Sequence, residues 1–494
     1  MIKRLIDKLL GKPATRVPLG KRVDVSASEH GIDHSLVDEH AIRVVSTLKQ
    51  AGHEAYIVGG AVRDLLVGRR PKDFDVATNA TPEQVKALFR RAFVIGRRFR
   101  LVHVVFGRGR EHEVIEVSTF RAYRDASEAD TVDGNERTSR AELAGKTHVV
   151  DASGRVLRDN VWGPQIEDAA RRDFTVNAMY YDPETRIVVD FHHGIADAKR
   201  RLLRMIGDPV TRYREDPVRL VRVVRFAAKL GFAIEKKTAA AMAEAVPLLA
   251  NVPASRLFDE MVKLLQTGHA LASIEALKAH GLHRGVFPVL DAVYDEQRGS
   301  AQRHRFIELA LADTDRRVAE GRAVAPSFLL ACLLWHDAQA RWHELRQRGE
   351  HPMPALQQAI DAVFDARIGD VSGRGRLAAD MREIWMMQPR FERRQANSAG
   401  ALIAQPRFRA GYDFLRLRAD AQEVDSELAD WWEDFSLGDA DEREALLQLA
   451  RDAERNRRHG EPATAAMPAK KRRRRRRPGG PRGAGGAAPA TAAP

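Results

Sequence analysis

At 494 residues the chain is long enough for about three domains, and its single cysteine, Cys332, excludes a disulfide framework or a cysteine-based zinc cluster. Lysine and arginine outnumber aspartate and glutamate 81 to 68, a net charge of +13, and the excess sits at the ends: nine bases and no acid lie between Pro462 and Pro494, and the first 22 residues carry +6. The near-neutral middle must therefore contact any polyanion through local clusters, and the longest apolar run, 328–335, is too short to span a bilayer.

The chain opens with MIKRLIDKLL, whose spacing predicts a short basic amphipathic helix within a mobile N-terminal arm, 1–34. Such a helix offers weak, reversible attachment to an anionic lipid surface, with a partner-binding or capping helix as the alternative. A helix is predicted from about Ser35 to Gly52. Short strands and helices then alternate from Tyr56 to Phe120, with Thr81 and Gln84 forming a capping box around Pro82. The polar stretch 125–158 reads as a flexible insertion. Beyond about Ala196 helical periodicity takes over to about Arg455, and the Pro, Ala, Gly and Arg composition after Pro462 cannot bury a core. These signals predict an α+β head with a small mixed sheet (35–195), an all-α neck (196–265) and helical body (266–458), and a disordered polybasic tail (459–494).

Three blocks carry candidate chemistry. Gly59 and Gly60 lie where a strand turns into a helix, which suits either a tight turn or a phosphate held by backbone amides. Asp73 and Asp75 are two apart in a predicted strand, so both carboxylates project from one face. Like charges so placed repel unless a hard divalent cation lies between them; a solvated strand edge is the alternative. At 214–219, Asp216 and Arg219 suit an N-cap aspartate beside an i,i+3 arginine, with Pro217 as the first helical residue.

GGAVRDLLVGRRPKDFDVAT (59–78) resembles the catalytic signature of the class II nucleotidyltransferases of the DNA polymerase β superfamily, which comprises bacterial poly(A) polymerases and CCA-adding enzymes. RRDFTVNAMYY (171–181) and REDPVRLVRVVRFAAKLGF (214–232) resemble that family's ribose and base motifs, in the expected order. VIGRRFRLVHVVF (94–106) is similar to the pattern of the poly(A) polymerase branch, and 410–419 resembles its helical body.

The resemblance implies template-independent addition of AMP from ATP to RNA 3′ ends, with release of pyrophosphate. It implies two Mg2+ ions, with Mn2+ an acceptable substitute, held by Asp73 and Asp75, and a third carboxylate from Glu116 or Glu113; strand alternation puts those two glutamates on opposite faces. Arg63 would bind triphosphate beside Gly59 and Gly60, or pair with Asp64 or Asp73. Arg171, Arg172, Asp173 and Asn177 would contact phosphate and ribose, unless Asp173 pairs with its own arginines. Asp216 and Arg219, with Arg222 in the same motif, would read the base. A carboxylate accepts from an exocyclic amino group and a guanidinium donates to a ring nitrogen, so the pair selects ATP and CTP over GTP and UTP without separating A from C. Arg97 and Arg98 are candidate RNA contacts, and Lys470, Lys471 and Arg472 begin a tail whose phosphate affinity carries no sequence choice.

The lone cysteine suits a reducing cytosol. The rival functions are a CCA-adding enzyme, a metal-dependent phosphohydrolase built on His336, Asp337, His304 and Asp313, and a non-catalytic RNA binder. Intact carboxylates argue against the last.

Overall fold

The computed structural model describes residues 19–96, 100–108, 111–123, 130–132, 148–151, 156–159, 161–283, 285–294, 301–322, 324–368 and 375–458. Alternating apolar runs supply the strands of the head: β1 (Val23–Val25), β2 (Ala55–Val58), β3 (Asp75–Thr78), β4 (Ala92–Ile95), β5 (Leu101–Arg108) and β6 (Glu111–Thr119). After them come β7 (Asp130–Val132), β8 (His148–Asp151), β9 (Val156–Asp159), β10 (Met179–Asp182) and β11 (Ile187–Asp190). Eight of these form one sheet in the order β1-β11-β10-β2-β3-β6-β5-β4. The β3/β6 pair is parallel and every other pair antiparallel, so the sheet is mixed.

One face of the sheet carries Val76, Ala92, Val102, Val104, Ile115 and Val117 into a core with helices α1 (Glu39–Gln50), α2 (Gly60–Leu66) and α3 (Pro82–Leu88). Asp38 caps α1 by accepting from the amides of His40 and Ala41, and the expected Thr81–Gln84 capping box starts α3. On the other face, Val58, Ala77, Phe120 and Tyr180 pack on Ala169 and Ala170 of α4 (Gln165–Arg171).

Chain order continues into helices α5 (Pro209–Glu215), α6 (Arg219–Leu230) and α7 (Ala254–Leu265), then the long helices of the body up to Ala440–Arg458. Their shared core runs from Phe174 and Tyr213 through Leu220 and Val224 to Trp335 and Trp385. A separate aromatic cluster of Phe391, Trp431, Trp432 and Phe435 closes the far end.

Two expectations change. The arm does not reach residue 34: β1 pairs with β11 from Val23, because Val23 and Val25 complete the open edge of the sheet. The stretch 125–158 is not featureless, since β7, β8 and β9 form a three-stranded sheet of their own. Residues 1–18 and 459–494, with the amphipathic helix and the basic tail, lie outside the described residues. Among the described residues no helix is long and apolar enough to cross a membrane.

Candidate active site

β2 ends at Val58, and the chain turns into α2 through Gly59, whose φ of 77° is strained for any residue with a side chain. A Cβ there would stand 3.6 Å from the guanidinium of Arg172. Val58 is the residue paired with Asp75, which in turn pairs with Glu116. Because β2 runs out at this point, Asp73 has no strand to pair with and lies in a bend ahead of β3, not within the strand as expected. In-register neighbours share a face, so Asp75 and Glu116 stand side by side on the face that α4 covers only in part.

The carboxyl of Asp75 is pushed up to about 6, by burial first, then by Glu116 and Asp73, with Arg172 opposing. Asp75 is still open on its cleft side. Protein packed behind it and two like charges beside it leave the negative charge under-compensated, which is the environment a hard divalent cation fits. Asp73, Asp75 and Glu116 are the residues that could hold one. Glu113, the competing glutamate, points to the opposite face, where its Oε2 lies 2.7 Å from Nδ1 of His40 and near Asp38.

Behind the carboxylates the second motif is fixed by a residue that sequence reasoning passed over. Asp168 is fully buried. Its Oδ1 accepts from Nε of Arg171 at 2.8 Å and from the amide of Arg121 at 3.1 Å. Its Oδ2 accepts from the Tyr180 hydroxyl at 2.7 Å and from two nitrogens of Arg172 at 3.1 and 3.2 Å. Burial alone would raise this carboxyl, but Arg171, Arg172 and Tyr180 override it and hold it below the ordinary carboxylate range. The only signal in the sequence was an aspartate three and four residues before two arginines on a helix, which reads as a solvated ion pair.

Arg63 is 2% exposed. It donates to Asp64 at 2.7 and 2.9 Å and to Oδ1 of Asn177 at 2.7 Å, so its carboxylate partner is Asp64 and not Asp73. Asn177 donates in turn to Asp173. Asp173 pairs with Arg222 of α6, not with its neighbours Arg171 and Arg172. Burial pushes the Asp173 carboxyl up, and Arg222 overcomes that to hold it at about 2. Arg222 also lies 3.7 Å from Glu260 of α7. Arg212, 1% exposed and likewise missed, donates to Glu215 and to the backbone carbonyls of Arg171 and Arg172 at 2.7 Å. Burial lowers its pKa to about 10.

Asp216 is not an N-cap. It closes α5 in an extended conformation (φ −149°, ψ 93°), as a residue before proline must, and α6 begins at Arg219 after Val218, which makes no side-chain cap. Its Oδ2 accepts from Arg256 of α7 at 3.0 Å. Arg219 donates to Glu215 at 3.0 Å and to the carbonyl of Arg212 at 2.7 Å.

The hydrolase constellation does not assemble. His336 is bonded to Glu423, Asp337 to Arg303 and Arg367, and Asp313 to Arg316 and Arg317. Arg97, Arg98, Lys470, Lys471 and Arg472 lie outside the described residues.

Residues 55–204 match the poly A polymerase head domain, 231–294 the probable RNA and SrmB-binding site of polymerase A, and 348–478 the polymerase A arginine-rich C-terminus. Poly(A) polymerase I of Haemophilus influenzae is 41% identical over 443 residues, covering 89% of this chain and 92% of that protein. The CCA-adding enzyme of Geobacillus stearothermophilus is 36% identical over 245 residues, half of this chain and 54% of its own. The crystal structure of the Bacillus stearothermophilus CCA-adding enzyme in complex with CTP is similar at 24% identity and a TM-score of 0.43, covering 84% of this chain and 98% of that one. The chain belongs to the bacterial poly(A) polymerase I family of nucleotidyltransferases.

Proposed function

We propose that the protein is a template-independent polynucleotide adenylyltransferase of the cytosol, adding AMP from ATP to RNA 3′ ends and releasing pyrophosphate. The observation that carries the reading is the in-register Asp75–Glu116 pair, with Asp73 close by and Arg172 opposed to it across Gly59. Asp73, Asp75 and Glu116 would hold Mg2+. The chemistry this cation supplies when bound is activation of the RNA 3′-hydroxyl and neutralisation of triphosphate charge.

The chain's own residues orient the substrates. Arg171 and Arg172, pinned by Asp168, present guanidinium charge to phosphate beside the glycine turn. Asp173 and Asn177, pinned by Arg222 and Arg63, are the groups for the ribose. Arg63 serves that motif from within, buried and bonded to Asp64 and Asn177. Asp216 and Arg219, each held from the side by Arg256 or Glu215, accept from the exocyclic amino group and donate to the ring nitrogen of the base. A nucleotide presenting the reverse pattern leaves both unpaired and is rejected.

The test is purified protein with Mg2+, an unstructured RNA and a tRNA lacking its 3′ end, with each NTP offered separately. Long tails from ATP on both RNAs support the reading. Addition confined to C, C and A on the tRNA alone would refute it in favour of a CCA-adding enzyme.

A further inference from the structure

The row of the sheet that holds the carboxylates does not stop at them. Asp75 pairs with Glu116, Glu116 with His103, and His103 with Phe93 on β4, the edge strand, so four in-register side chains share one face across β3, β6, β5 and β4. The opposite face of these strands is filled core, whereas on this one Phe93 is 56% exposed, Val114 38%, and the side chain of His103 34%. Two exposed arginines, Arg90 and Arg91, precede β4 at the same edge. An aromatic ring this open on a sheet leaves apolar surface that a flat ligand could cover.

We propose that this face binds the 3′-terminal single-stranded nucleotides of the RNA being extended, with Phe93 as a base-stacking platform and His103 as a second flat ring between it and the carboxylates. The inference rests on the reading of the chain as an RNA-extending transferase and adds where the primer lies. Three properties favour RNA over a protein partner. The surface is continuous with the carboxylates at which the 3′-hydroxyl must arrive. It presents flat rings on neighbouring strands, Phe93 beside His103, as stacking platforms for single strands do, and the positive charge needed for a phosphate backbone is on its rim. The dimensions also suit it: three strand spacings of about 4.8 Å put Phe93 roughly 14 Å from Asp75, about four bases at a stacked rise of ~3.4 Å. His103, with Nε2 3.5 Å from Glu116, is the ring nearest the reacting end. Specificity from such a platform is low, since every base has a π-face.

The full-length protein is assayed with saturating ATP on oligoadenylates of two and six nucleotides, in about 0.15 M salt so that the tail's contribution is damped. Phe93→Ala is expected to raise KM for the hexamer roughly tenfold, the scale of one lost base stack. It should leave KM for ATP and for the dimer within about twofold, and Phe93→Trp should restore the wild-type value. Phe93 is exposed on an edge strand, so the variant keeps its fold; a thermal melt checks this. An unchanged hexamer KM, or a parallel rise in KM for ATP, overturns the proposal. So does a change in sedimentation with RNA affinity unaltered, which would make the edge a contact between two copies of the chain. Should the wild-type protein incorporate no AMP, the catalytic reading fails by itself. Anisotropy of fluorescein-labelled hexamer then decides the platform alone: a tenfold weaker Kd for Phe93→Ala supports it, and equal affinity overturns it.

Discussion

Replacing Asp168 by asparagine tests the framework of the site without altering any group placed against substrate. The substitution keeps the volume and removes the negative charge facing Arg171 and Arg172; the single asparagine oxygen can stand in for Oδ1 and accept from the Arg121 amide, while an NH2 group replaces the acceptor Oδ2, so the Tyr180 hydroxyl must turn to accept instead of donate. The side chains of the two arginines are 21% and 17% exposed, too little for water to replace the lost partner. Removing one member of a buried ion pair costs about 3–5 kcal/mol, roughly a fifth or more of the stability of a typical domain. In a head of this size that is a fall in Tm of roughly 6 to 20 °C. The pH dependence gives a second, independent reading. A carboxyl held below its unfolded value contributes stability that is complete above the unfolded pKa of about 3.9 and is lost as pH falls through the folded value. The gap in Tm between wild type and Asp168→Asn should therefore be constant from neutral pH down to about pH 5 and narrow in stronger acid. Calorimetry across that range, with KM for ATP measured alongside, checks both. A Tm within about 2 °C of wild type, or a gap indifferent to acid, would show that Asp168 does not anchor the two arginines.

Asp75→Ala and Glu116→Gln should each lower AMP transfer about a thousandfold or more, while Glu113→Gln, facing His40 on the other side of the sheet, should stay near wild type; single-turnover assays on folded protein separate them, and relief of repulsion should leave the melting temperature of the first two unchanged or higher. Arg219→Ala should raise misincorporation of GTP and UTP roughly five- to a hundredfold, with Mg2+ dependence unaltered, measured as competing kcat/KM values. Deleting everything after Met467 removes nine bases, so the slope of log affinity for single-stranded RNA against log salt should become shallower by up to about six, with KM for ATP little changed. If residues 1–10 bind anionic lipid, a chain starting at Gly11 should sediment less than full-length protein with anionic liposomes and equally with neutral ones.

What was legible in the sequence was local. The Thr81 capping box and the opposed faces of Glu113 and Glu116 both follow from spacing within a single element. What failed depended on a partner far along the chain. Asp73 alternates with Asp75 as a strand residue should, yet a strand extends only as far as its neighbour, and β2 turns away at Gly59. Val23–Val25 looks like part of a polar arm until β11 offers it an edge, and the residues around 130–159 become strands only by pairing with one another. Asp216 fitted an N-cap rule, and the extended backbone that Pro217 favours suits one, but the next helix does not begin until Arg219, after Val218. Buried charge is the hardest to foresee: Asp168, Arg212 and Glu260 carry no pattern that separates them from solvated residues, because burial is decided by elements far along the chain.

Those buried charges also decide how the head and the helices after it act together. Arg212 on α5 grips the carbonyls of Arg171 and Arg172, and Arg222 on α6 grips Asp173, so both helices flanking the base-reading pair are bonded to the ribose and phosphate motif of the head. From the other side α7 holds Asp216 through Arg256 and faces Arg222 with Glu260. Arg212 is shielded from water and its links are expensive to break, whereas the links through Arg222 and Arg256, whose side chains are 31% and 29% exposed, are partly screened and hold by acting together. A base-reading residue can then shift relative to Asp75 and Glu116 only if several such links break together, or if α5, α6 and α7 move with the head as one body. If these residues have the roles proposed for them, selection of the base and alignment of its α-phosphate are mechanically one event. Variants that cut a link remote from the nucleotide, Glu260→Gln among them, should therefore lower kcat and blur base choice in the same measurement, whereas a site of independent parts would lose one and keep the other.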